Sequence, residues 1–234
     1  MKILSVDSSA KIASVALLED KKLLAEYSLN NGNTHSETLL PMAEILLGAF
    51  GLTAKDIDLF ACSAGPGSFT GVRIGAATVK GLAFAMNKPC VGVSTLHAIA
   101  QNAAIRQGLI CPVMNARRSQ VYTALFRSDG EKLTRLMPDS ALAISELDDI
   151  LSQYGEAVTF CGDGYDITVD ALKKTKALFT PERLRHQSAC SVAEVAYEEY
   201  LSGNYGSDAE LSVDYLRPSQ AERERNEKLA KDKN

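Results

Sequence analysis

A glycine-rich segment constrains the fold of this 234-residue chain more than any other part of its sequence. Residues 64–75 read Ala-Gly-Pro-Gly-Ser-Phe-Thr-Gly-Val-Arg-Ile-Gly, directly after an apolar strand predicted over 57–63. A helix is predicted to begin inside the segment and to run to about Asn87. Such a helix directs its free N–H groups and the positive end of its dipole at the turn. The segment therefore predicts an α/β unit with a functional or a tightly packed turn.

The spacing of the glycines leaves two interpretations open. No Gly-Lys-Ser/Thr follows, so the loop is not a Walker motif, and Gly65, Gly67 and Gly71 are one residue too far apart for a Rossmann fingerprint. One interpretation is an anion- or nucleotide-binding loop formed by Gly65, Gly67, Ser68 and Thr70. The other is a tight turn that packs the helix onto its strand. Ser68 lacks a Gly-x-Ser-x-Gly elbow, so it is expected to cap the helix rather than act as a nucleophile.

The order of predicted elements is βββαβαβα, followed by a second αβ series. That order predicts two related α/β lobes. The first lobe is expected over 1–105 with a returning C-terminal helix in about 189–217, and the second over 106–188. Residues 218–234 are charged and nearly free of large apolar side chains, so a disordered tail is expected there.

Composition limits the classes of function. A formal net charge of −4 argues against a stand-alone nucleic-acid binder, although a local basic patch remains compatible with it. The five cysteines are scattered, odd in number and never spaced Cys-x-x-Cys, which indicates idle thiols in a reducing compartment. The N-terminus runs directly into a strand without a leader-like segment, and a cytoplasmic location is expected.

Two predicted helices are more apolar than a helix that covers only its own sheet. The helix over 36–50 spreads its apolar residues over an arc of roughly 220°, against the ~100° stripe that is usual, and the helix after the glycine loop is apolar almost all round. Either both helices are enclosed within the monomer, or together they present an apolar face to another protein. The second interpretation predicts these partner-interface residues: Leu39, Met42, Ala43, Leu46, Phe50, Val72, Gly75, Ala76, Val79 and Ala83.

Several segments together resemble one family, the TsaB (YeaZ) proteins of tRNA threonylcarbamoyladenosine synthesis. The Gly-Pro-Gly-Ser-Phe-Thr-Gly run is the most specific of them. The matching segments are 3–9, 34–41, 65–75, 92–96, 115–122, 162–164 and 215–217, in family order and over nearly the whole chain to Arg217. The resemblance implies an actin-like ATPase fold (ASKHA, ribonuclease H-like) with two lobes.

The resemblance also implies a function. Family members are expected to be non-catalytic scaffold or activator subunits that pair with TsaD through helices of the first lobe and work with the ATPase TsaE. The complex transfers a threonylcarbamoyl group to adenosine 37 of tRNAs that read codons starting with A. tRNA is expected to bind through the complex, and the chain alone is expected to form a homodimer.

The sequence lacks the residues that metal and nucleotide chemistry would need. TsaD-like proteins bind a metal through His-x-x-x-His, and here Thr95 and Ile99 stand at the aligned positions while His97 has Gln101 four residues on. No metal and no tightly bound cofactor are expected, although weak nucleotide binding is compatible with the sequence. An actin-like ATP-dependent small-molecule kinase is the alternative function, and a metal-dependent hydrolase is a second rival.

The two turns that bind phosphate in actin-like kinases are altered. Such kinases use an Asp-x-Gly turn in each lobe, because glycine lets the backbone approach the phosphates. The corresponding turns read Asp7-Ser8-Ser9 and Asn115-Ala116-Arg117, so both lack the glycine. Asn115 also departs from the aspartate that is usual in the family, which removes a carboxylate that could hold Mg²⁺.

Overall fold

The computed structural model describes residues 1–217, which form ten β-strands and six α-helices. The strands are β1 Lys2–Asp7, β2 Ala13–Glu19, β3 Lys22–Leu29, β4 Leu59–Gly65, β5 Cys90–Ser94, β6 Gly108–Asn115, β7 Gln120–Ser128, β8 Leu133–Ala143, β9 Val158–Cys161 and β10 Ala177–Leu178. The helices are α1 His35–Gly48, α2 Phe69–Met86, α3 Thr95–Gln101, α4 Ile144–Ser152, α5 Tyr165–Val169 and α6 Ala189–Leu201.

The first sheet has the strand order β3-β2-β1-β4-β5. β1 pairs antiparallel with β2 and parallel with β4, and β5 continues the parallel half. β1 and β4 are buried along nearly their whole length, as expected of strands covered on both faces. β3 lies at the edge of the sheet, and its side chains are largely exposed without a regular alternation of buried and exposed positions.

The second sheet repeats the topology of the first. Its order β8-β7-β6-β9-β10 places an antiparallel β6–β7–β8 meander beside the parallel pair β6–β9 and β9–β10. Each half of the chain therefore has the element order βββαβαβα. This duplicated arrangement is the two-lobed α/β fold of actin-like ATPases (ASKHA, ribonuclease H-like), as the sequence predicts.

Helices cover both faces of the first sheet. α1 and α2 lie side by side on one face, where Leu39, Met42, Ala76 and Val79 join the core formed with β1 and β2. α6 returns from the C-terminal part of the chain to the other face and packs against β1, β2, β4 and β5. α3 contacts α6 and the strands β6 and β7, so it lies between the two sheets. The N-terminus of α2 and the turn after β6 are thereby held near the same interlobe cleft.

Two strands were not predicted from the sequence, and one predicted segment lies outside the described residues. The unpredicted strands are Leu133–Ala143 and Ala177–Leu178. β8 contains Pro138 and is partly exposed, which an edge strand tolerates because one side needs no ladder hydrogen bonds. The tail predicted over 218–234 lies outside the described residues. No helix within 1–217 has the length and hydrophobicity that crossing a membrane requires.

Candidate functional site

A cavity of about 590 Å³ lies between the two lobes, at the end of β1 and the N-terminus of α2. Both turns that were compared with phosphate-binding turns reach it, together with four residues of the glycine loop. The lining residues are Ser9, Ala10, Lys11, Gly67, Ser68, Phe69, Thr70, Met114, Asn115, Ala116, Arg117, Tyr122, Asp163 and Arg217. Of the predicted loop residues, Gly67, Ser68 and Thr70 line the cavity, and Gly65 does not.

The glycines of the loop are explained by contacts with the chain itself. A Cβ at Gly67 would stand 2.5 Å from the carbonyl oxygen of Ser9, and a Cβ at Gly71 would overlap the carbonyl oxygen of Ser8. Gly65 has φ +123°, which favours glycine, and a Cβ there would overlap the carbonyl oxygen of Asp214. These glycines let the loop pack closely against two other backbone segments, which favours the tight-turn interpretation.

The start of α2 has few N–H groups left for a ligand. Ser68 donates its backbone N–H to the Ser9 carbonyl at 2.6 Å, and its side-chain oxygen accepts the N–H of Gly71 at 3.3 Å. Ser68 is thus the N-cap of the helix, as predicted. Thr70 stands in the first turn and is exposed at the cavity. Anion binding by the loop stays a prediction, with Thr70 the member best placed for it.

The carboxylate of Asp7 is enclosed by hydrogen bonds from its own lobe. Asp7 is 1% exposed and accepts hydrogen bonds from the N–H and hydroxyl of Ser9, at 2.9 and 2.8 Å, and from the hydroxyl of Ser63. Burial raises the pKa of Asp7 above its usual range, against the lowering effect of the Ser63 and Ser9 hydrogen bonds. The group therefore stabilises the first turn and does not face the cavity.

In the second lobe, Asn115 shapes the turn that follows β6. Its side-chain oxygen accepts the backbone N–H of Arg117 at 2.8 Å, while its own N–H donates to the carboxylate of Asp163 at 3.2 Å. Arg117, Arg118 and Ser119 have left-handed φ angles of 63°, 54° and 56°. Burial raises the pKa of Asp163, although the hydrogen bond from Asn115 opposes this. The turn thus exposes two arginines beside the cavity.

The histidines and cysteines form no cluster among the described residues that could hold a metal ion. His35 contacts the carbonyl of Ala10 at 2.7 Å through Nε2. His97 stacks on Phe126 with ring centroids 5.2 Å apart, and burial lowers its pKa. All five cysteines are free thiols, and burial raises the pKa of Cys111 to about 12, so that this thiol stays protonated at neutral pH.

The segment that follows α6, residues 204–217, crosses from the first lobe to the second and is called the C-terminal strap below. It begins along the free edge of β5, where Cys90 and Gly206 exchange backbone hydrogen bonds of 2.9 and 3.1 Å. Lys80 of α2 donates to the Leu211 carbonyl at 2.9 Å. The strap ends at Arg217, which donates to the Ala116 carbonyl at 3.0 Å in the second lobe. It therefore covers a sheet edge and links the two lobes.

The strap also builds an aromatic and cationic cluster that the sequence analysis did not identify. Tyr215 stacks on Phe69 with ring centroids 4.3 Å apart, and its hydroxyl accepts the Nε–H of Arg73 at 2.6 Å. The Arg73 guanidinium lies 4.1 Å from the Phe69 ring centroid. The only sequence signal for this cluster was the family resemblance at 215–217, because nothing in the sequence indicates that these residues meet the first turn of α2.

The structure corrects the side of α1 and α2 that the sequence analysis chose as an interface. Nine of the ten predicted residues are buried in the monomer, and Phe50 alone is exposed, at 44%. The buried ones are Leu39, Met42, Ala43, Leu46, Val72, Gly75, Ala76, Val79 and Ala83. Both helices are apolar nearly all round, so the sequence pattern could not distinguish the side that packs on the sheet from the opposite side.

The opposite side of the two helices is exposed and still apolar. We call it the outer helix face, and it contains Leu40, Pro41, Ile45, Ala49, Phe50, Ala77, Gly81, Phe84 and Ala85. Ile45 is 63% exposed and Phe84 is 74% exposed. Exposed charges within the two helices are limited to Glu37, Glu44 and Arg73. Large exposed apolar side chains on two helices that pack together are typical of a protein-binding surface.

Comparison with known proteins places this architecture in a family. A family model described as TsaD, tRNA N6-adenosine threonylcarbamoyltransferase, matches residues 22–225. The tRNA threonylcarbamoyladenosine biosynthesis protein TsaB of Bacillus subtilis is 30% identical over 225 residues, covering 95% of this chain and 96% of that protein. The Escherichia coli TsaB is 38% identical over 131 residues, 55% of this chain and 56% of that protein.

Solved structures agree with this placement. YeaZ from Pseudomonas aeruginosa superimposes with a TM-score of 0.77 at 27% identity, covering 92% of this chain and 99% of that one. By contrast, a tRNA N6-adenosine threonylcarbamoyltransferase from Solidesulfovibrio magneticus is 28% identical over 60% of this chain but only 43% of that protein. The chain is thus an actin-like α/β protein that aligns with 43% of the length of that transferase. It belongs to the TsaB (YeaZ) family of tRNA threonylcarbamoyladenosine biosynthesis proteins.

Proposed function

We propose that this chain is the non-catalytic partner of a TsaD-type tRNA threonylcarbamoyltransferase and docks on it through the outer helix face. The observation that carries the proposal is the exposed apolar face of α1 and α2 in a chain of the TsaB family. Ile45 and Phe84 are more than half exposed there, and the opposite sides of both helices pack against the sheet. A stable interface needs a buried apolar centre of this kind.

A structural reason favours a transferase subunit over an unrelated protein as the partner. The family model for TsaD matches most of this chain, so both subunits share the actin-like fold. A transferase of that fold carries its own pair of helices at the position of α1 and α2, and two such pairs can pack face to face in a pseudo-symmetric dimer. When the transferase is absent, the same face is expected to pair with a second copy of this chain.

The interior of the cleft supports a non-catalytic role. Asp7 lies in the first of the two altered phosphate-binding turns, and its carboxylate accepts hydrogen bonds from Ser9 and Ser63 rather than facing the cavity. Asn115 supplies an amide where a carboxylate would hold Mg²⁺, and its side-chain oxygen accepts a backbone N–H. These contacts count against the alternative, an actin-like small-molecule kinase, because phosphoryl transfer needs a positioned metal and base.

In this proposal the chain works in the cytoplasm, shapes the transferase by contact, and joins a complex that includes TsaE and tRNA. The modification itself, threonylcarbamoylation of adenosine in tRNAs that read codons starting with A, is carried out by the transferase. No residue of this chain contributes to the chemical step.

A binding experiment with a matched pair of variants tests the docking face. Ile45→Glu places a charge on the outer helix face, and Ile105→Glu places one at a residue 84% exposed beyond α3, on the other side of the first sheet. The transferase of the same organism, carrying an affinity tag, is expected to retain wild-type chain and Ile105→Glu but to lose Ile45→Glu. Equal retention of both variants would refute the outer helix face as the docking surface.

A further inference from the structure

Five cationic side chains lie in or beside the interlobe cleft, between the first turns of α2 and the turn that follows β6. They are Lys11, Arg73, Arg117, Arg118 and Arg217, and we call them the cationic row. None of them has a carboxylate oxygen within 4.0 Å among the described residues, whereas Arg127, Arg135 and Arg185 each form an ion pair elsewhere. Their charge is therefore not neutralised within the part of the chain that the structure describes.

Hydrogen bonds and chain connectivity establish the order of the row. Arg73 is hydrogen-bonded to Tyr215 at 2.6 Å, and Arg217 follows two residues later, a span of at most about 7 Å in an extended chain. Arg217 in turn is bonded to the carbonyl of Ala116, the residue before Arg117. Lys11, Arg117 and Arg217 all line the same cavity. The row thus continues over both lobes.

The row is held in place before any ligand binds. Arg73 lies flat against Phe69, which stacks on Tyr215. The Arg217 guanidinium lies 5.7 Å from the ring centroid of Tyr122. Pre-ordered cations lose less conformational entropy on binding an anion than free surface lysines do. Of the three rings Tyr215 is exposed, and Phe69 and Tyr122 are half-buried. Aromatic rings interleaved with arginines are also a pattern that binds single-stranded nucleic acid.

The carboxyl groups near the row are few. Asp163 is the one carboxyl group among the described residues that line the cavity, and it accepts the N–H of Asn115. Asp7 is buried and faces Ser9 and Ser63. Asp214, on the strap, is the exposed carboxyl closest in sequence to Tyr215. The local surface is therefore cationic even though the whole chain has a formal net charge of −4.

We propose that the cationic row binds the phosphodiester backbone of RNA. This inference rests on the proposed function, since it identifies where a subunit of a tRNA-modifying complex touches the tRNA. Arg73 and Arg118 lie outside the cavity lining, so the row extends beyond the cavity. Binding by the isolated chain is expected to be weak and independent of sequence, with a Kd on the order of 10⁻⁴ to 10⁻⁶ M.

The experiment measures fluorescence anisotropy of labelled, unmodified tRNA titrated with the full chain at several salt concentrations. The double variant Arg117→Gln/Arg118→Gln removes two exposed cations of the row. Its control, Lys22→Gln/Lys55→Gln, removes two exposed cations from other surfaces and changes the net charge equally. The row variant is expected to bind about tenfold more weakly and to lower the salt slope by about 1–2, whereas the control binds as wild type.

The inference fails if the wild-type chain does not bind tRNA at protein concentrations up to millimolar, or if the two double variants lose tRNA affinity equally. It also fails if ADP displaces tRNA at the concentration at which tRNA half-saturates the chain. The last outcome would make the cavity a mononucleotide site instead. Both double variants are also tested for binding to the tagged transferase. If that binding is unchanged while tRNA binding is absent, the RNA inference fails and the proposed partner role stands.

Discussion

Phe84 offers the sharpest quantitative test of the outer helix face. Its side chain is 74% exposed on α2, and a phenylalanine buries roughly 150–250 Å² when it is fully covered. Covering the exposed part removes about 150 Å² of apolar surface from water, which at about 25 cal/mol per Å² is worth about 3–4 kcal/mol. Since Phe84→Ala leaves the Cβ in place, the expected loss of binding free energy is about 2–3 kcal/mol.

Phe179 is the matched control for this substitution. It is 70% exposed, nearly as much as Phe84, but it follows β10 in the second lobe. Isothermal titration of the transferase with each variant is expected to give a Kd about 30- to 150-fold higher for Phe84→Ala and unchanged for Phe179→Ala. Both variants should keep the wild-type circular dichroism spectrum, because neither ring belongs to the core. Equal affinities for the two variants would show that the face has been assigned wrongly.

Two further predictions concern the stability of the chain itself. Leu46 is 4% exposed, so Leu46→Ala should lower the free energy of unfolding by about 2–5 kcal/mol in urea titrations. The neighbouring Ile45 is 63% exposed, so Ile45→Ala should change that free energy by less than about 0.5 kcal/mol. The raised pKa of Asp7 means that the stability it contributes is complete below its unfolded pKa and is lost as pH rises through the folded pKa. Asp7→Asn should therefore reduce the fall in unfolding free energy between about pH 4 and pH 8, and an identical pH profile in both proteins would contradict this.

Much of the fold was predictable because local patterns and the global arrangement agree. Strands such as β4 are short, largely apolar segments, and the order βββαβαβα predicts two related lobes. β8 was missed because none of its residues is fully buried and Pro138 interrupts the pattern. An edge strand is defined by its neighbour β7, and that pairing is not visible in the sequence of β8 alone.

The candidate surfaces were harder to predict than the elements that carry them. The sequence of a helix such as α2, apolar nearly all round, does not indicate which of its sides packs on the sheet, so Val79 was assigned to the interface and lies in the core. The glycine loop posed a similar difficulty. The reason for Gly65 is the carbonyl of Asp214, about 150 positions away in sequence, which only the folded strap brings into contact.

The measurement that most directly tests the partner role is reconstitution of the modification on unmodified tRNA. Transferase, TsaE, ATP and threonylcarbamoyl donor are assayed with this chain, without it, and with this chain in place of the transferase. Formation of threonylcarbamoyladenosine is expected only when this chain and the transferase are both present. Product formed by this chain without the transferase, or full activity of the transferase without this chain, would contradict the account.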